Sequence, residues 1–172
     1  MNKKTKNLTL ASMCLAIGVI LPQAFHAVAN AGSIFLPMHI PVLVCGFICG
    51  PFYGFIVGLL TPFISHIIFS MPPTAMLGQM LVELSTYGLC TGLLNKIIKI
   101  NNELIKNYAV LISSMLIGRI IYGLCNALIF KANSYSLSIW LMAAFVTSLP
   151  GIIIQLLIIP FLIKSLNKVI QK

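Results

Sequence analysis

A chain of 172 residues is long enough for one domain, but 59% of it is hydrophobic and only 8% charged. A soluble surface takes roughly a quarter or more of charged residues, so a soluble domain is excluded, and the mean hydropathy of +1.05 points to an all-α integral membrane protein. The 11 basic residues against 2 acidic ones give a net charge of +9, which reports membrane topology rather than a nucleic-acid surface, because most of these charges fall between apolar runs.

Charge and Pro/Gly punctuation predict six spans, over about 8–27, 37–50, 51–69, 74–97, 108–130 and 138–163, in a single membrane domain covering 1–172. The first follows Lys3, Lys4 and Lys6. It resembles a signal peptide but lacks a clean A-x-A cleavage site at the end of its apolar run, and the chain that follows is itself membranous, so it reads as a retained helix. The uncharged segment 28–36, rich in Ala, Gly and Ser, is either a flap over an outward-facing site or a solvated linker. Spans two and three are separated at Gly50-Pro51, because proline has no N–H to donate and clashes with the preceding turn. The tight link Ser70-Met71-Pro72-Pro73 leads into span four, and the polar stretch 96–107 separates spans four and five. Span six is expected to kink near Pro150-Gly151 and Pro160. With six spans, both termini share one side, which takes nine lysines and leaves only Lys131 on the other. The positive-inside rule makes the nine-lysine side cytoplasmic.

Two ionisable residues fall inside spans. Glu83 on span four and Arg119 on span five lie about 9 and 11 residues from the outer ends of their helices. At ~1.5 Å per residue these depths differ by only ~3 Å, so an ion pair across neighbouring helices is feasible. A charge at such depth costs at least ~2.5–3.5 kcal/mol and normally faces a cavity or a partner. Gln79, Glu83, Thr86, Tyr87 and Cys90 share one helical face, as do Arg119, Tyr122 and Asn126, by their spacing. The two stripes suggest the walls of a pocket open to the outside; the alternative is a buried staple. Trp140, at the outer start of span six, either stacks on a ligand ring or belongs to the interfacial aromatic belt.

Elsewhere the residues point to packing. The five cysteines, Cys14, Cys45, Cys49, Cys90 and Cys125, are odd in number and scattered, which argues against a disulfide framework. With His26, His39 and His66 they form no tight cluster in sequence, so no metal site is expected. Gly46, Gly50, Gly54 and Gly58 recur every four residues, a spacing that favours close helix packing in lipid. The small residues Ala11, Ser12, Ala16 and Gly18 near the start of span one offer a face to a partner membrane subunit. Two acidic residues nearly exclude a paired-carboxylate site, and no Walker motif, G-x-S-x-G or H-E-x-x-H occurs. The chain is therefore not expected to be an enzyme, nor to drive ATP-dependent transport alone.

The run F-L-P-M-H-I-P-V-L-V-C-G-F-I-C-G-P-F-Y-G-F-I-V-G-L-L-T-P over 35–62, with its G-P-x-x-G hinge at Gly50–Gly54, resembles the substrate-binding S component of an energy-coupling factor (ECF) vitamin transporter. Span number, length and topology agree with that family over essentially the whole chain. The resemblance implies a membrane-embedded subunit of an ABC-type transporter in the plasma membrane of a bacterium. Such a subunit binds one vitamin or related micronutrient from outside. It then works with a shared transmembrane subunit and two cytoplasmic ATPases, and needs no cofactor of its own. The family's pocket, carried onto this chain, corresponds to Gln79, Glu83, Arg119, Tyr122, Asn126, Trp140 and the region around Asn30. Its A-x-x-x-A docking motif on helix one is replaced here by Ser12-x-x-x-Ala16, with Ala11 alongside. Arg119 suits a carboxylate, favouring an anionic, pantothenate-like substrate; if Glu83 neutralises it, a neutral substrate fits equally well. Two other functions compete. A structural or assembly protein would use Glu83 and Arg119 as a staple, and an intramembrane enzyme would need a nucleophile–base pair that the sequence does not display.

Overall fold

The computed structural model describes residues 2–25, 31–130 and 136–170. Asn30, His26 and Lys131 lie outside the described residues. Among those described there is no strand, and the helices follow as α1 (Lys3–Ile20), α2 (Ala31–Phe35), α3 (His39–Cys49), α4 (Pro51–Phe69), α5 (Thr74–Ile97), α6 (Glu103–Cys125), α7 (Leu137–Leu141) and α8 (Leu149–Ile170). A 3₁₀ turn over Leu21–Phe25 extends α1, and π-helical turns over Asn126–Phe130 and Met142–Thr147 extend α6 and α7.

Local chemistry sets the helix ends. Gly50 has φ 91°, a region closed to most residues with a Cβ, and Pro51 opens α4 at a position where its missing N–H costs nothing. The chain therefore folds back at Gly50, and a Cβ on Gly54 would lie 2.9 Å from the Gly46 Cα. Spans two and three are thus separate antiparallel elements. Asn102 caps α6 by accepting the Leu104 N–H at 3.1 Å, and Ser136 caps α7 by accepting the Ile139 N–H.

α5 is the central element, packed by α3, α4 and α6. Glycine makes that possible: Gly54 meets Gly88, Gly58 meets the Leu84 backbone, and Gly92 meets Pro51, each without an intervening side chain. The four-residue glycine ladder is internal packing. One end of the bundle is tied by Asn7 to the Cys49 carbonyl (3.5 Å), Asn95 to the Phe47 carbonyl (3.0 Å) and Asn167 to Glu103 (2.8 Å). The starts of α1 and α6 and the ends of α3, α5 and α8 meet there. Lys4, Lys6, Lys96, Lys99, Lys106, Lys164 and Lys168 cluster at that end by their places in these helices.

The outer surface is apolar along the helices, with Phe52, Ile67, Leu128 and Leu157 all largely exposed. Stretches over Lys4–Ala24, Pro51–Phe69, Glu103–Ile129 and Leu149–Lys168 are long and apolar enough to cross a membrane. α5 is as long, but its inward face carries Gln79, Glu83, Ser85 and Thr91, so its average polarity reflects what it buries. α3, with 11 residues, rises only ~16 Å and is too short to cross the ~30 Å hydrocarbon layer as a regular helix.

Span six is broken at Ser148, with φ −89° and ψ 3°, near Pro150-Gly151 as expected; Pro150 itself sits in the first turn of α8, where helix N–H groups have no partner to lose. α8 then continues through Pro160, whose carbonyl accepts from the Asn107 amide at 3.4 Å.

Candidate functional site

Glu83 and Arg119 project from the facing sides of α5 and α6, about 5% exposed each. Arg119 Nη1 lies 2.9 Å from Glu83 Oε1. The Tyr87 hydroxyl, one turn along α5, donates to the same oxygen at 3.2 Å. Tyr87 is fully buried and its ring lies against Gly118, the residue before Arg119; any side chain there would push the ring off α6. The second Arg119 nitrogen donates to Ser148 Oγ at 3.1 Å, and Ser148 in turn donates to the Ala144 carbonyl at 2.7 Å. The break before α8 thus holds the arginine from the far side. The carboxylate and guanidinium are buried with opposite charge and several hydrogen bonds, the arrangement a buried ion pair needs.

Further along the same faces, Tyr122 donates to Gln79 Oε1 at 3.3 Å, and Asn126 donates to the Tyr122 carbonyl at 2.8 Å. Gln79, Glu83, Arg119, Tyr122 and Asn126 therefore form one polar seam between α5 and α6. Thr86 and Cys90 are only half-buried, and Thr86 spends its hydroxyl on the Val82 carbonyl. Trp140 sits beside the seam rather than in it. Its indole N–H donates to the Arg119 carbonyl at 3.0 Å, its ring covers Gly123, and Phe145 meets it edge-on at 5.7 Å. Neither a ligand-stacking ring nor an interfacial belt anticipates this use as a clasp holding α7 on α6.

Two residues outside the predicted substrate contacts lie close by. His39, weighed from the sequence only as a metal ligand, stands at the start of α3 and is 2% exposed, with Nε2 3.6 Å from Glu83 Oε1 and its ring 5.3 Å from that of Tyr87. Nothing local marks it, since its α3 neighbours are apolar and only the hairpin brings it to α5. Gln155, on α8, is fully buried; its signal was visible as the one amide within an uninterrupted apolar run. Neither ring nitrogen of His39, neither amide atom of Gln155, nor Oδ1 of Asn126 has a hydrogen-bond partner. Each such group costs about 1–3 kcal/mol, so each calls for an explanation.

The polar seam is closed on itself. A cavity of about 110 Å³ lies beside Arg119 between Met115, Phe145 and Ile152. A groove of about 280 Å³ lies against Trp140, Gly123, Ala127 and Leu137. Ligand pockets run to ~300–1,000 Å³; the cavity beside Arg119 is well below that range and the Trp140 groove lies near its lower end.

On α1, Ala11 is 4% exposed and packs against Met38, Val42 and Cys45. It cannot also face a partner, because its small side chain is used up on α3. Ser12 and Ala16 are exposed, in a strip with Leu8, Met13, Ile17 and Ile20. Cys45 and Cys49 are buried in the same apolar cluster as Ala11, and no group of metal-binding side chains is assembled among the described residues.

The profile of one protein family, the substrate-specific component of the ECF transporter, matches residues 6–163. No curated protein and no solved structure matches the chain.

Proposed function

The chain belongs to the family of ECF-transporter substrate-specific components, and on that basis we propose that it captures a vitamin or related micronutrient outside the cell and delivers it through an ATP-driven module. Members of this family are membrane proteins that bind a small-molecule substrate for transport and are not enzymes. The chain crosses the bacterial plasma membrane six times with both termini in the cytoplasm. It docks through Ser12 and Ala16 on a shared transmembrane subunit driven by two ATPases. Its substrate contacts are Gln79, Glu83, Arg119, Tyr122 and Asn126, with Trp140 fixing the wall and the segment around Asn30 closing the site.

The observation that carries the site is the Glu83–Arg119 pair at 2.9 Å, because intramembrane charges are expensive and are retained chiefly where they serve a pathway or a ligand. Arg119 suits the carboxylate of a pantothenate-like anion, and with Glu83 paired to it at 2.9 Å a neutral substrate fits equally well. The competing reading is a staple, favoured by the closed hydrogen-bonding around the pair.

A thermal-shift screen of the detergent-purified chain against B vitamins and their precursors separates the two. A ligand of the folded state at a thousandfold excess over Kd stabilises it by about 4 kcal/mol. One clear hit establishes a solute receptor and names its substrate. A folded protein that no compound shifts favours the staple.

A further inference from the structure

Resting on the substrate-binding reading, we propose that His39 and Gln155 complete the binding site and select an uncharged ligand that presents an amide- or urea-type edge, with N–H and C=O side by side. α3 and α8 start at the same end of the bundle and run in the same direction. Leu43 and Phe47 of α3 share one apolar cluster with Ile159 and Ile163 of α8. One turn back along each helix stand His39 and Gln155, by the i, i+4 spacing that stacks residues on one face. One turn further back, α2 closes over Gly151, where a Cβ would lie 2.7 Å from the Ile34 carbonyl oxygen. The two residues thus occupy one layer, capped by α2 and floored by the apolar cluster, with Glu83 within 3.6 Å of His39.

The chemistry of that layer disfavours an anionic guest. Arg119 and Glu83 are already paired, so a carboxylate would have to displace Glu83 from the arginine to gain a counter-charge in an apolar interior. What the layer offers instead is the Gln155 amide, with one donor and one acceptor group, and the His39 imidazole, both fully buried and without hydrogen-bond partners. A primary amide pairs with a cyclic amide edge through two antiparallel hydrogen bonds, and the imidazole ring nitrogens supply a further hydrogen-bonding group.

The experiment is a thermal-shift comparison of the full chain in detergent with a matched pair, nicotinamide against nicotinate, plus riboflavin and lumichrome as uncharged ring amides. An uncharged probe is expected to raise Tm while its acid does not. Gln155→Leu should weaken that binding about tenfold while leaving the ligand-free Tm unchanged or higher, since an unpaired buried amide is replaced by an apolar side chain of similar size. His39→Phe should do the same.

An acid that shifts Tm as much as its uncharged partner overturns the charge selection and leaves the substrate-binding reading standing. If Gln155→Leu and Gln155→Met both lower the ligand-free Tm or fail to fold, or bind as the parent does, the amide is structural and the assignment falls. If no probe in either series shifts a folded protein, the binding reading falls and takes this inference with it.

Discussion

Three groups converge on Glu83 Oε1: the Arg119 guanidinium, the Tyr87 hydroxyl and, at longer range, His39. Removing one partner of a buried pair strands the other charge, at a cost of about 3–5 kcal/mol, whereas replacing both with apolar groups is often neutral. Glu83→Leu and Arg119→Met are therefore expected to destabilise strongly as single variants, and the double variant to recover most of the lost stability, read by thermal or denaturant unfolding in one detergent. Substrate uptake should be lost in all three. A double variant that is stable and transports at the parental rate would reduce the pair to a staple. The pairing itself was legible in the sequence, because two charges at one depth on neighbouring spans have few alternatives in lipid. His39 was not, because its role depends on a hairpin that places α3 beside α5, and no local pattern announces that.

At the scale of elements, glycine and proline punctuation read well and helix continuity read poorly. Gly50-Pro51 and Ser70–Pro73 set the limits of α4 and α5 through backbone geometry, which is a local property. The break at Ser148 is only partly local: Pro150 marks its neighbourhood, but the π-helical turn before it and the serine that Arg119 holds from another helix are set by packing. The same limit applies to α1. Ala11 and Ser12 are adjacent in sequence, yet Ala11 packs on α3 and Ser12 faces outward. Ser12→Leu and Ala16→Leu should leave ligand binding by the purified chain unchanged and abolish uptake in cells, because they alter only the outward strip. Ala11→Leu should instead lower Tm by overpacking the interior, at a cost of about 1–3 kcal/mol. If uptake survives both outward substitutions, the docking face lies on another helix.

For the molecule as a whole, sidedness decides what the polar seam can do. Charged residues are scarce, and the described lysines gather at one end, leaving the capped layer of His39 and Gln155 toward the opposite end. In the proposed topology the positive-inside rule directs the lysine-bearing end to the cytoplasm, and the proposed substrate then enters the seam from outside, past α2 and the π-helical end of α6. Cysteine labelling in intact cells tests this directly. In a background without native cysteines, Ser136→Cys, at the exposed start of α7, should react with a membrane-impermeant maleimide. Asn101→Cys, exposed in the link between α5 and α6, should react only after permeabilisation. The reverse pattern would place the seam's entrance in the cytoplasm, and a receptor for external substrate would have to be abandoned whatever the ligand. Labelling of both positions in intact cells would show that the two ends are not separated by a membrane, which would remove the six-span topology.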